Sequence, residues 1–386
     1  LLVCCTHHET QVDHTYDTYQ GPPPYTDTRA KIVLPAGDFA LVPSSGSDRV
    51  SVIDLGAAKT IADAPVGRSP VVLDGPHQIT ADMGKRVAYV VHAYPDALES
   101  AGNHSHGSST RNGWVQVLAL DDLRAVGEVE VDPNPGEIAV SDDGKRLVVT
   151  HYDLAAALAT DQPIDQRRST LALIDPTKIL PFGTPQPDKL LVCVAPHGLT
   201  LSRPDGSKAF VACFGEDAIA IVDLVDTNAA VVRVDVGAGA GPYGVALSPD
   251  GTRLAIGTRT SHDVRFLDVA SQTMEKLIVT ALGETYVPAW TPDGSGVYVP
   301  TRALDAVTLV DATTGAVKKS HPFDAATCVS PIEVARGSDA SVVHVLCEGT
   351  ASAKGSVVTL DATTLDVRSR VDVGFFPGRP FVGRGP

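Results

Sequence analysis

PHGLTLSRPDGSKAFVACFGEDAIAIVDL, Pro196–Leu224, is the stretch whose reading decides the fold. It contains three short apolar runs, a Pro-Asp-Gly turn between the first two, and an Asp closing the third. The segment from Gly241, GPYGVALSPDGTRLAIGTRTSHDVRFLDV, follows the same grammar. Alternating apolar residues over so few positions specify strands. Asp-Gly supplies the left-handed residue that a tight hairpin needs. The closing Asp is placed to accept hydrogen bonds from backbone N–H groups of the next turn.

Working outward, the third run recurs along the chain and usually ends in Asp: at Asp54, Asp175, Asp223, Asp268, Asp311 and Asp361. A seventh copy, VQVLAL, has Ala119 in that place. Asp223 and Asp268 are 45 residues apart, and Asp268 and Asp311 are 43 apart. A period in the mid-forties with about four strands per unit is the spacing of radial blades. We therefore expect an all-β, seven-bladed β-propeller of four-stranded antiparallel blades over 29–386, preceded by an extended Pro-rich arm, 1–28. The expected blades run about 29–74, 75–132, 133–194, 195–239, 240–284, 285–327 and 328–375. The last stretch, Phe375 to Pro386, contains FPGRPFVG and is expected to start another inner strand and close the ring.

The two quoted segments resemble the YVTN-repeat propellers of bacterial and archaeal envelope proteins, and the likeness covers nearly the whole chain from Arg29. The YVTN tetrapeptide itself is absent, its positions reading YVVH, VVTH, FVAC, AIGT, YVPT and HVLC. The resemblance implies the fold; family members serve surface, binding and cofactor-associated roles, so it implies no single activity.

The net charge of -15 opposes binding to nucleic acid or an anionic membrane surface. No apolar run reaches the length of a membrane span. Cys4 and Cys5 follow Leu-Leu-Val and are candidates for a lipid anchor, although the small residue usual before such a Cys is missing. Cys193 and Cys213 are 20 residues apart, and Cys328 and Cys347 are 19 apart, at matching places in two repeats. Two disulfides, Cys193–Cys213 and Cys328–Cys347, are the expectation, with thiol metal ligands as the alternative. Disulfides imply an oxidising compartment, and hence a periplasmic or extracellular protein.

Histidines supply the candidate chemistry. His77 and His197 open inner strands, while His92 and His151 end second strands, so antiparallel pairing brings all four positions to one mouth of the channel. Insertions at Ala93–Asn112, carrying His104 and His106, and at Tyr152–Arg168 leave from that mouth. Neutral imidazoles there would suit copper or zinc; the alternative is that they serve the backbone and the packing. The arm adds His7, His8, Glu9 and His14, although short His-rich segments bind metal adventitiously. Tyr243 and Tyr286 stand at the inner-strand position in later blades, and Arg259 and Arg302 follow strand ends, making these four a candidate ligand site. The duller role for the arginines is pairing with nearby Asp.

No haem-attachment motif, nucleotide-binding loop or serine-nucleophile elbow occurs. The reading is an exported, monomeric binding or scaffold propeller whose partner is an envelope protein or a small ligand. The alternative is a metal-dependent lyase, lactonase-like enzyme or redox protein built on the four histidines.

Overall fold

A computed structural model describes residues 29–68, 73–93, 109–180, 183, 185–280 and 282–386. The arm, with Cys4, Cys5 and its histidines, lies outside the described residues, as do His104 and His106.

Seven four-stranded antiparallel sheets make the ring. The first blade contains β1 (Asp38–Ser44), β2 (Arg49–Asp54) and β3 (Lys59–Pro65). The second contains β4 (Pro76–Asp82), β5 (Val87–His92), β6 (Asn112–Ala119) and β7 (Ala125–Pro133). The third contains β8 (Pro135–Val140), β9 (Leu147–His151), β10 (Arg168–Ile174) and β11 (Asp188–Val194). The fourth contains β12 (Pro196–Leu201), β13 (Lys208–Cys213), β14 (Ala218–Asp223) and β15 (Val232–Asp235). The fifth contains β16 (Pro242–Leu247), β17 (Arg253–Thr258), β18 (Asp263–Asp268) and β19 (Thr273–Val279). The sixth contains β20 (Ala289–Trp290), β21 (Gly296–Thr301), β22 (Ala306–Asp311) and β23 (Val317–Pro322). The seventh contains β24 (Pro331–Ala335), β25 (Val342–Cys347), β26 (Ser356–Asp361) and β27 (Val367–Asp372).

The expected closure is present: β28 (Phe381–Arg384) pairs with β1 and becomes the innermost strand of the first blade. Middle strands such as β13 and β14 are almost wholly buried, whereas outer strands such as β15 are half-exposed. The core lies between blades. Phe210 and Ile219 of the fourth, for example, pack with Leu254 and Ile256 of the fifth. A blade therefore cannot bury both faces without its neighbours.

The turn grammar works as its chemistry requires. Asp268 and Asp361 each accept a backbone N–H at 2.8 Å, from Ser271 and Thr364 respectively. Gly206 and Gly251 of the Asp-Gly turns have φ of 61° and 74°, values that favour glycine.

Both expected disulfides are formed, with Cα–Cα distances of 5.8 and 5.4 Å. One detail differs from the sequence reading. Cys193 lies in β11, the outermost strand of the third blade, so its bond to Cys213 ties the third blade to the fourth. Cys328 does precede the inner strand of the blade that contains Cys347.

Candidate functional site

The inner strands begin alike. In six blades a residue of positive φ (Gly75, Asn134, Ala195, Gly241, Ser330, Phe376) is followed by Pro and then by two residues that build the site, and in the sixth blade Thr285 stands in the place of the Pro. A β-bulge follows the Pro in five blades, between Pro76/Gln78, Pro135/Ile138, Pro196/Leu199, Pro242/Gly244 and Pro331/Glu333. Such a bulge re-aims the side chains beside it. The inner strands also approach closely. A Cβ at Gly198 would stand 2.4 Å from the Tyr243 carbonyl oxygen, and one at Gly244 2.6 Å from that of Tyr286.

At the second of those two positions the channel carries a buried charge cluster. Arg379, just before β28, donates to Glu137 Oε2 of the third blade at 2.5 Å, and its Nε lies 3.0 Å from Glu333 Oε1 of the seventh. Leu199 N–H also donates to Glu137 Oε2, at 2.7 Å. Both glutamates are buried. Burial pushes the Glu333 carboxyl up to about 8, with Glu137 adding to the rise and Arg379 opposing it. Burial raises Glu137 too, again against Arg379. The sequence analysis did not single out Glu333 or Arg379. Aligning PGE, PIE and PGR at Pro135, Pro331 and Pro377 would have found them.

The first of the two positions carries His77, His197, Tyr243 and Tyr286, which form an aromatic layer. His197 stacks on Tyr243 with ring centroids 3.9 Å apart, and Tyr243 meets Tyr286 edge-on at 5.0 Å. Tyr152, from the second insertion, meets His197 edge-on at 5.0 Å. The insertion then forms two short helices, α1 (Leu154–Leu158) and α2 (Ile164–Arg167). Asp153 caps α1 by accepting from Ala156 N–H at 2.9 Å, and Asp165 pairs with Arg168.

Arg259 and Arg302 lie over this layer, so the four residues expected to bind ligand do come together. The Arg259 guanidinium is 5.4 Å from the Tyr243 ring centre and 5.3 Å from that of Tyr286. The arginines pair with glutamates rather than with the expected aspartates. Arg259 Nε is 2.8 Å from Glu284 Oε1, Arg302 Nη1 is 3.6 Å from Glu284 Oε2, and Arg302 Nη2 is 3.1 Å from Glu348 Oε2. Burial would raise Glu284, but its hydrogen bond from Arg259 and the charges of Arg259 and Arg302 hold it below the usual carboxylate range.

The four histidines are not assembled as one group. His77 and His197 are neighbours, with centroids 6.3 Å apart. His92 instead stacks on Trp114 of the adjacent strand at 4.0 Å, and the Arg68 guanidinium lies 4.2 Å from the same indole ring centre. Burial, helped by the Arg68 charge, pulls His92 down to about 3. His151 Nδ1 donates to the Thr170 carbonyl at 2.9 Å, and burial pulls its ring down to about 4. Both imidazoles are therefore neutral and engaged with cross-strand neighbours. Among the described residues, no three His, Cys, Asp or Glu side chains are grouped to hold a metal ion.

A cavity of about 390 Å³ occupies the other end of the channel, lined from Glu333 and Arg379 outward to the turns at Asp142, Arg203 and Pro249. No helix among the described residues is long and apolar enough to cross a membrane.

The ring, its closure and its channel define the class: a seven-bladed β-propeller. No family model and no curated protein matches the chain. Solved structures do. The periplasmic gluconolactonase PpgL of Pseudomonas aeruginosa is 17% identical with a TM-score of 0.64, over 90% of this chain and 100% of that one. A putative 6-phosphogluconolactonase from Bacteroides uniformis is 15% identical with a TM-score of 0.65, over 90% and 99%. The dihydro-heme d1 dehydrogenase NirN is 17% identical with a TM-score of 0.58, over 93% and 79%. At these identities the likeness is one of fold.

Proposed function

We propose that this chain is an exported binding propeller, similar to the YVTN-repeat proteins, that holds a small polyhydroxylated ligand where Tyr243, Tyr286, Arg259 and Arg302 meet. One observation carries the reading: the chain Arg259–Glu284–Arg302–Glu348 alternates donors and acceptors over two tyrosine rings. Its charges balance, and it retains partial exposure, 29% at each arginine side chain and 18% at Glu284. Forked guanidiniums and ionised carboxylates together can bond the vicinal hydroxyls of a sugar or polyol from both sides. The two disulfides and the fold shared with a protein named as periplasmic support export.

Turnover of a sugar lactone is the second reading. It is favoured by the fold shared with proteins named as gluconolactonase and putative 6-phosphogluconolactonase, and Glu284 is the ionised carboxylate at this mouth, although its two arginine partners weaken it as a base. Isothermal titration of the full chain with gluconate, glucose and glucono-lactone tests both readings, with product analysis of the lactone sample. Binding that weakens at least about tenfold in Arg259→Ala supports the ligand site. Binding unchanged in that variant sinks it. Lactone opening above the buffer rate, lost in Glu284→Gln, would move the chain to the enzymes.

A further inference from the structure

The channel's other mouth has a different chemistry. Its cavity of about 390 Å³ is within the range of small-molecule sites. Arg203 and Arg336 line it from the fourth and seventh blades, and Arg379 lies at its inner end. Arg379 is occupied by Glu137 and Glu333. Among the described residues, neither Arg203 nor Arg336 makes an ion pair or a hydrogen bond, although Asp293 acts on Arg336 from a distance. Burial, with the Arg203 charge nearby, pulls the Arg336 guanidinium below its usual range.

Arg203 is exposed and Arg336 half-buried, and among the described residues neither has a carboxylate bonded to it, although Asp293 acts on Arg336 and the chain carries a net charge of -15. Holding a half-buried guanidinium near a second one costs free energy unless an anion joins them. The walls suit an organic anion rather than a bare ion. Thr80 and Thr200 contribute hydroxyls, and Trp290 and Phe381 contribute apolar surface. The Trp290 indole N–H is already donated to the Ala246 carbonyl at 2.9 Å, which fixes the ring.

We infer that the mouth opposite the histidines is a second ligand site, built to take a small oxyanion-bearing polyol, with Arg203 and Arg336 gripping its carboxylate or phosphate. Forked guanidinium donors bind both groups in a bidentate manner, so the two anions share one recognition chemistry. Asp142, also on the wall, disfavours an anion at its own side and directs the charged end towards the two arginines. This site does not depend on the ligand proposed for the tyrosine mouth.

Trp290 is a built-in reporter, because the chain's other tryptophan, Trp114, is buried in the second blade beside His92. The experiment titrates the full chain with gluconate, glucose 6-phosphate, inorganic phosphate and glucose, following tryptophan fluorescence and heat. The expected result is saturable binding of gluconate or glucose 6-phosphate with a fluorescence change lost in Trp290→Phe. The affinity read from the Trp290 fluorescence change should fall at least about tenfold in Arg203→Gln/Arg336→Gln and remain unchanged in Arg259→Ala, whose effect is confined to a heat component without that change. Gluconate alone or the phosphate ester alone would identify which oxyanion is used. Equal affinity in the wild type and the double variant, or no binding by either organic anion, overturns the proposal. Thermal melts of the double variant show that it is folded. An effect confined to Arg259→Ala would belong to the tyrosine mouth and would likewise reject this site.

Discussion

Glu333→Gln should reduce the loss of stability between pH 5 and pH 8, leaving the part that belongs to Glu137. Glu333 is 5% exposed, and its carboxyl is pushed up to about 8 by burial and by Glu137, against Arg379. In the unfolded chain the same group titrates in the ordinary glutamate range. Between those two values the folded state holds a proton that the unfolded state has released. Stability therefore falls as pH rises through this window. A rise from the ordinary range to about 8 corresponds to roughly 3–4 kcal/mol lost between pH 5 and pH 8, at 1.36 kcal/mol per pKa unit. Glutamine keeps the shape and cannot ionise, so the variant lacks this loss. His92 and His151 contribute in the other direction. Their folded values, about 3 and about 4, lie below the unfolded imidazole value, so stability falls as pH drops below about 6.5. They are common to both proteins and cancel in the difference. The assay is urea unfolding of wild type and variant at pH 5, 6, 7 and 8. Parallel pH profiles would refute the argument, since they would mean that Glu333 is already ionised beside Arg379 throughout.

Removing Cys328–Cys347 as the double serine variant should cost about 3 kcal/mol, given a 19-residue separation, and urea midpoints would show it. His92→Ala should cost about 2 kcal/mol through lost stacking on Trp114, while leaving any copper or zinc content after metal incubation unchanged; elemental analysis of the folded variant checks this. A parallel loss of metal would return His92 to the role of ligand.

The blades were legible because their signals are local and repeated. The Asp closing six of the seven third strands and the Asp-Gly turns each act within a few residues, so the copies reinforce one another. The candidate site was legible only in part. Tyr243, Tyr286, Arg259 and Arg302 converge because equivalent repeat positions converge around any ring. His92 and His151 occupy equivalent strand ends as expected, but strand position alone does not say which neighbour a side chain meets. Trp114 and Thr170, one strand further out, engage them. The bulge after the inner-strand Pro in five blades disturbs the alternation from which facing is read. The two cysteine pairs match less closely than their repeat positions imply for a related reason. Only Ala195 separates β11 from β12, too short a break to reveal where one blade stops.

The closure of the ring has a consequence in time. Synthesis delivers the first blade's three outer strands long before Phe381–Arg384, so that blade waits incomplete with β1 open along its inner edge. Glu137 and Glu333 wait as well, because Arg379 arrives with the same segment. One late stretch of chain thus brings both the missing strand and the missing cation. Until it docks, an edge is unpaired and two carboxylates resist being buried, so the chain stays uncommitted during delivery.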